Sequence, residues 1–175
     1  MFLAPLGPGD AEDMLAALSR NRAFLKPFEP LRSDSDFTLE GQREVMRRLE
    51  EGRAAGTTYA FAIRTRPGDE IAGGISLSQV FRKHFQSCYM GYWVGEEHNG
   101  RGYATAAVRL AVDYAFGDLG LHRVQANVMT KNPRSARVLS KAGFRREGLA
   151  LRYLRIAGRW EDHDMFAVTA EDWSR

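Results

Sequence analysis

The chain has 175 residues, 44% hydrophobic and 27% charged, enough length and apolar content to bury a core without disulfide or metal staples. Its 25 basic and 22 acidic side chains leave a net charge of +3, too small an excess to point to nucleic acid by itself. The lone Cys88 excludes an internal disulfide, no apolar run reaches the ~20 residues of a membrane span, and "MFLAPLGPGD" lacks the basic start of a secretion signal. These features predict a single domain over 1–175, cytoplasmic, with no membrane partner.

In chain order, residues 10–20 place Met14, Leu15 and Leu18 on one stripe and predict a helix. "NRAFLKPFEP" (21–30) follows. Its prolines fix their own φ and bias Lys26 and Glu29 away from helix, so it reads as a stiffened loop carrying Phe24, Phe28 and Glu29. Leu39, Val45, Met46 and Leu49 predict a second helix over 39–53. "TYAFAI" (58–63), "EIAGGISL" (70–77) and "SCYMGYWV" (87–94) then predict a meander of three strands, with Cys88 buried in the third. A glycine loop, Asn99-Gly100-Arg101-Gly102-Tyr103-Ala104, leads into a helix over 102–116 whose Ala104, Ala107, Val108, Ala111, Val112 and Ala115 keep helical spacing.

Next, "HRVQANV" (122–128) alternates Val124, Ala126 and Val128 against Arg123, Gln125 and Asn127, a strand with one apolar face. A short helix over 133–142 is punctuated by Asn132 as N-cap, Pro133 at the first position and Gly143 as the left-handed stop. "ALRYLRI" and "WEDHDMFAV" flank "AGR" as a closing hairpin with Gly158 in the turn. The order is that of an α/β (α+β) layer fold around a mixed sheet.

The glycine loop carries the chemistry. Glycines let backbone N–H groups approach a ligand closely, and a helix N-terminus adds free donors and partial positive charge, which suits a phosphate or diphosphate. The loop is not a Walker sequence, because Gly-Tyr-Ala-Thr stands in place of Gly-Lys-Ser/Thr. It is not a dinucleotide fingerprint either, since Thr105 occupies the third small position. Downstream, Lys131, Arg134, Arg137, Lys141, Arg145 and Arg146 form a run of six basic residues with no acidic one among them. That field suits a polyanion, and a solvated helix face would look the same.

Asn99-x-x-Gly102-x-Ala104 resembles the Gln/Arg-x-x-Gly-x-Gly/Ala loop of the GNAT superfamily of N-acetyltransferases, with Asn in the first place. "NPRSARVLSKAGFRREG" (132–148) resembles that superfamily's second motif, Asn-x-x-Ser followed by Gly-Phe-x-x-Glu-Gly. "NRAFLKPFEP", "CYMGYWVG", "HRVQANVM" and "YLRIAGRWEDHDMFAVTAEDW" are similar to the RimJ/RimL branch, on its RimJ side, which acetylates N-terminal amines of ribosomal proteins. The resemblance covers nearly the whole chain.

The resemblance implies the acyl-CoA N-acyltransferase fold, with a mixed central sheet of about seven strands and flanking helices. It implies acetyl-CoA as co-substrate, held by the backbone of Asn99, Gly100, Arg101, Gly102, Tyr103, Ala104 and Thr105. Asn132 would contact the pantetheine arm, and Arg137 and Lys141 the CoA phosphates. A backbone N–H in the Trp93–Val94 region would polarise the thioester carbonyl, with the strand over 122–128 splaying away to admit the pantetheine. Ser135 would donate to the leaving sulfur. The carboxylates and tyrosine that serve as bases in relatives are replaced here by Asn127, Leu139 and Leu154.

That leaves a water held by Asn127, or secondly Glu29, as the expected base. Phe24, Phe28 and Glu29 would line the acceptor entrance; completion of the core by the same rings is the competing expectation. The acceptor would be the α-amine of a protein, alanine first, most simply a ribosomal protein. A small amine as acceptor and a ribosome-associated binding module remain open, as do monomer and homodimer. In "WEDHD" (160–164) strand alternation separates Glu161 and His163 from Asp162 and Asp164, so no metal site is expected.

Overall fold

The computed structural model describes residues 1–173. Seven strands form one sheet in the order β1-β2-β3-β4-β5-β7-β6: β1 Phe2–Pro5, β2 Tyr59–Arg64, β3 Ile71–Phe81, β4 Ser87–Val94, β5 Arg123–Met129, β6 Arg145–Ile156 and β7 Arg159–Thr169. Every neighbouring pair is antiparallel except β4 and β5. Four α-helices flank it: α1 Ala11–Leu25, α2 Leu39–Ala54, α3 Tyr103–Gly117 and α4 Pro133–Lys141.

Two cores lie on opposite faces of the sheet, and β2 shows why. Phe61 and Ile63 point into a core built with α3, whereas Ala60 and Ala62 point to a second core built with α1 and α2. That period of two is what pleated backbone imposes. On α3, Ala107, Val108, Ala111, Val112 and Ala115 are all fully buried. Its two valines alone contribute about 1.5–3 kcal/mol each of transfer free energy, and three alanines let the helix lie close on the strands. Among the described residues, no helix is long and apolar enough to cross a membrane.

Several expectations need correcting. Residues 21–25 are the last turn of α1, and Lys26–Phe28 continue as a 3-10 turn, so the stiffened loop starts only at Glu29. Pro27 sits at the start of that turn, where its missing N–H costs nothing, and Lys26 stays in the right-handed region despite preceding proline. Glu29, before Pro30, is extended as expected (φ −131°, ψ 159°). Strand β1 carries no alternation across four residues beside prolines and was not foreseen; pairing with β2 creates it. β6 begins at Arg145 instead of Ala150, and the hairpin turn is Ala157-Gly158 alone, both at positive φ (47° and 84°), the geometry that matches strand twist.

Candidate active site

The parallel seam between β4 and β5 is the organising feature. It pairs only Ser87, Cys88 and Tyr89 with Arg123, Val124 and Gln125. Beyond that point β5 continues to pair with β7, and β4 with β3, so the two strands diverge and the β4 edge from Met90 to Val94 faces open space. On its other side β4 is pinned tightly: a Cβ on Gly73 would stand 2.2 Å from the Trp93 carbonyl oxygen, which makes glycine obligatory there. The resulting cleft has a volume of about 570 Å³ and is lined by Tyr92 and Trp93, by Ala126–Met129, and by residues of α1, α2, α4 and the hairpin.

On the α3 face the chain leaves β4 through Gly95, passes a 3-10 turn (Glu96–His98), and enters α3 by way of Gly100 (φ 77°) and Gly102 (φ 78°). A Cβ at either glycine would touch nothing, so the demand for glycine here is conformational. Ala106 is the first residue to donate into the helix, to Gly102 O at 3.0 Å. Among the described residues, the backbone N–H groups of residues 100–105 reach no acceptor. This row of free donors at a helix N-terminus fits a diphosphate. Asn99 turns its Nδ2 back to Gly95 O at 3.3 Å, so its side chain braces the loop.

Beside the loop, Asn132 caps α4: its Oδ1 accepts from Ser135 N–H at 3.1 Å, leaving its Nδ2 group for the cleft. Arg137 and Lys141 are exposed on α4, and Arg101 on the loop. Among the described residues none of the three is in an ion pair, whereas Lys131, Arg145 and Arg146 are neutralised by Glu161, by Glu147 and Asp172, and by Asp164. The basic run therefore divides into structural pairs and free cations.

Ser135 has a partner that sequence reasoning missed. Tyr92 lies with its hydroxyl 2.7 Å from Ser135 Oγ and donates to Ser135 O at 3.1 Å. Burial pushes its phenol up to about 12, so it remains a proton donor at neutral pH. The available signal was the alternation Cys88, Met90, Tyr92, Val94, which sends all four to the α3 face.

The opposite face holds the other predicted residues. Asn127 is fixed at both ends: Oδ1 accepts from Gln125 Nε2 at 3.3 Å, and Nδ2 donates to Tyr153 Oη at 3.1 Å. Tyr153, also missed, reaches it because β6 slips register between Ala150 and Leu154, with Arg152 at φ 49°. Phe28 stands at the rim, 43% exposed, and lines the cleft, as does Leu154. Phe24 does not line it; the ring packs against the α1–α2 core. Glu29 lines the cleft but is clamped by Arg32 through two hydrogen bonds of 2.8 Å, and its main-chain oxygen accepts from Ala157 N–H at 3.0 Å. Leu139 is fully buried in the core.

In "WEDHD" each acid has a different task. Glu161 binds Lys131, Asp162 accepts from Arg152 N–H at 2.7 Å, and Asp164 binds Arg146. Among the described residues one group of metal-ligand type, Glu70, Glu97 and His98, lies outside the cleft, and Arg20 already bonds Glu70 at 2.9 Å.

Residues 1–145 match the acetyltransferase (GNAT) domain family. The chain is 42% identical to a probable N-acetyltransferase, YjcK, of Bacillus subtilis over 98% of this chain and 95% of that one. It is 35% identical to the ribosomal protein uS5-alanine N-acetyltransferase of Escherichia coli, over 94% of this chain and 85% of that one. The solved structure of Mycobacterium smegmatis RimJ in complex with CoA-disulfide superposes with a TM-score of 0.92 at 30% identity, over 99% of this chain and 83% of that one. By its family match, its relatives and its seven-stranded mixed sheet with the splayed seam, this chain belongs to the GNAT acetyltransferase family and is an N-acetyltransferase that uses acetyl-CoA.

Proposed function

We propose that the acceptor is the N-terminal α-amine of a protein, with alanine first and a ribosomal protein as the substrate class. One observation carries the reading. Among the described residues that line the cleft, Glu29 is the only carboxylate, and Arg32 neutralises it. A polyamine needs free carboxylates to bind its second and third charges. A lysine side chain, titrating near 10.4, is neutral only about one time in a thousand at pH 7.5, whereas an α-amine near 8 is about a quarter neutral. The likeness to the uS5-alanine enzyme supports the same choice.

In this reading the amides of residues 100–105 hold the diphosphate, with Arg101, Arg137 and Lys141 as counter-charges and Asn132 Nδ2 on the pantetheine. A main-chain N–H of the Trp93–Val94 edge, left unpaired by the splay, polarises the thioester carbonyl. Ser135 donates to the departing sulfur. Tyr92 has two acceptors within reach; turning its proton to Ser135 Oγ frees the serine proton for that task. Phe28 packs the first side chain of the acceptor, the Glu29–Arg32 pair borders the mouth, and Asn127 Oδ1 offers a lone pair to the nitrogen.

Thiol release from acetyl-CoA, measured across peptides starting with Ala, Ser, Met and Lys beside spermidine and free lysine, tests the acceptor class. Ala-starting peptides should show the highest kcat/KM. Spermidine or free lysine outranking every peptide would overturn it.

A further inference from the structure

The one carboxylate that lines the cleft among the described residues, Glu29, is held by Arg32, so the acceptor's proton needs another destination, and one cleft residue answers that need. His163 on β7 lines the cleft and is 3% exposed. Its Nδ1 lies 2.9 Å from the Glu161 main-chain oxygen. A carbonyl only accepts, so Nδ1 carries the hydrogen and Nε2 carries the lone pair. Among the described residues Nε2 has no hydrogen-bond partner, yet it is not sealed away; both ring nitrogens of His98, by contrast, are buried and unpartnered. A buried imidazole with its tautomer fixed and its basic nitrogen open to the cleft is poised to take a proton.

Register places it beside the reacting nitrogen. His163 pairs with Met129, and Asn127 pairs with Met165, so His163 and Asn127 are diagonal neighbours on one face of the sheet. Diagonal neighbours stand about 7–8 Å apart at the backbone, a gap that two inward-leaning side chains can close on one amine nitrogen. That face is the one away from Ser135: Val128 and Ala126, which alternate with Asn127, belong to the α3 core. The tyrosine that braces Asn127, Tyr153, also sets its ring edge-on to His163 at 5.6 Å.

We propose that His163 Nε2 is the general base of the acetyl transfer, a reading that rests on the acceptor site described above. The acceptor arrives as an ammonium, and Nε2 removes one proton to give the imidazolium. The neutral nitrogen attacks the thioester carbon; the N–C bond forms, and the C–S bond breaks. A second nitrogen-bound proton passes to the sulfur by way of the Ser135 hydroxyl, giving free thiol and leaving one hydrogen on the amide. The imidazolium proton returns to solvent through the mouth. The groups that face this ring are Tyr153 of β6, Glu161 on its own strand with Lys131 bound to it, and the Glu29–Arg32 pair across the cleft.

The test is kcat/KM against pH for the full chain and for His163→Gln and His163→Ala, with a calorimetric titration of coenzyme A on each. Positioned bases contribute about 10²–10⁴-fold. His163→Gln should therefore lose at least about a hundredfold in kcat with coenzyme A affinity kept, and its acidic limb should vanish. Added imidazole should restore part of the activity of His163→Ala. Retention of kcat within about threefold, with the acidic limb unchanged, would overturn the proposal. Nitrogen NMR of the unmodified protein needs no variant: a proton found on Nε2 instead of Nδ1 would overturn it as well. All rates are taken on whichever amine ranks first in the peptide and amine panel. An error in the acceptor class therefore changes the panel's order and leaves the His163 result standing.

Discussion

The two faces of the cleft are built on opposite principles. On the α3 face, groups are left unsatisfied: the amides of residues 100–105 have no acceptors, and Arg101, Arg137 and Lys141 have no counter-ions among the described residues. On the opposite face, Glu29 is matched by Arg32, and Asn127 by Gln125 and Tyr153. Unsatisfied donors await an anionic ligand of fixed shape. In the proposed reading, a wall whose one carboxylate among the described residues is already paired suits an acceptor selected by its one reactive amine and first side chain over a polycation.

The largest expected effect breaks the first face. Gly102 is at φ 78°, a region that costs an L-residue about 1–2 kcal/mol and a β-branched one more. Gly102→Val should weaken coenzyme A binding by about thirtyfold or more in calorimetry while the far-ultraviolet circular dichroism is kept. Next in size is Ser135→Ala. Losing a donor aimed at developing charge typically costs about 10²–10³ in kcat, so a drop of about a hundredfold is expected, with the KM for acetyl-CoA within about twofold.

Tyr92→Phe should be milder. It removes the 2.7 Å contact with Ser135, a neutral hydrogen bond of about 0.5–1.5 kcal/mol, so kcat should fall about three- to tenfold. Because burial holds the phenol up at about 12, this variant and the parent should share one pH profile between about pH 7 and pH 10. The smallest effect sharpens the comparison from the acceptor side. Arg32→Ala strips Glu29 of its partner, and spermidine turnover should rise several-fold while Ala-peptide turnover changes by less than about twofold. If spermidine turnover stays flat, the neutral wall is not what selects the acceptor.

The same contrast explains what could be read from sequence. The anion side is written locally: strand, two glycines and an apolar helix; then Asn132-Pro133 with Gly143 at the far end of α4. Local dihedral demands need no tertiary context, and β4 was delimited at Ser87–Val94 for the same reason. The acceptor side is assembled from afar. Tyr153 reaches Asn127 only because β6 carries a register shift between Ala150 and Leu154, and no turn residue announces it. Tyr92 meets Ser135 across 43 residues of chain. His163 looked like a metal-ligand candidate that alternation argued against, and only the Glu161 carbonyl, through Nδ1, reveals which nitrogen is free. Glu29 was legible as a cleft residue; its neutralisation by Arg32 three positions later was not.

Amide hydrogen exchange by NMR, with and without coenzyme A, puts the central claim to the most direct test. Amides 100–105, which lack acceptors in the free chain, should exchange fast alone and slow by at least about tenfold when coenzyme A is added, with residues 28–32 unchanged. Equal exchange of residues 100–105 in both states, under saturating coenzyme A, would contradict the account.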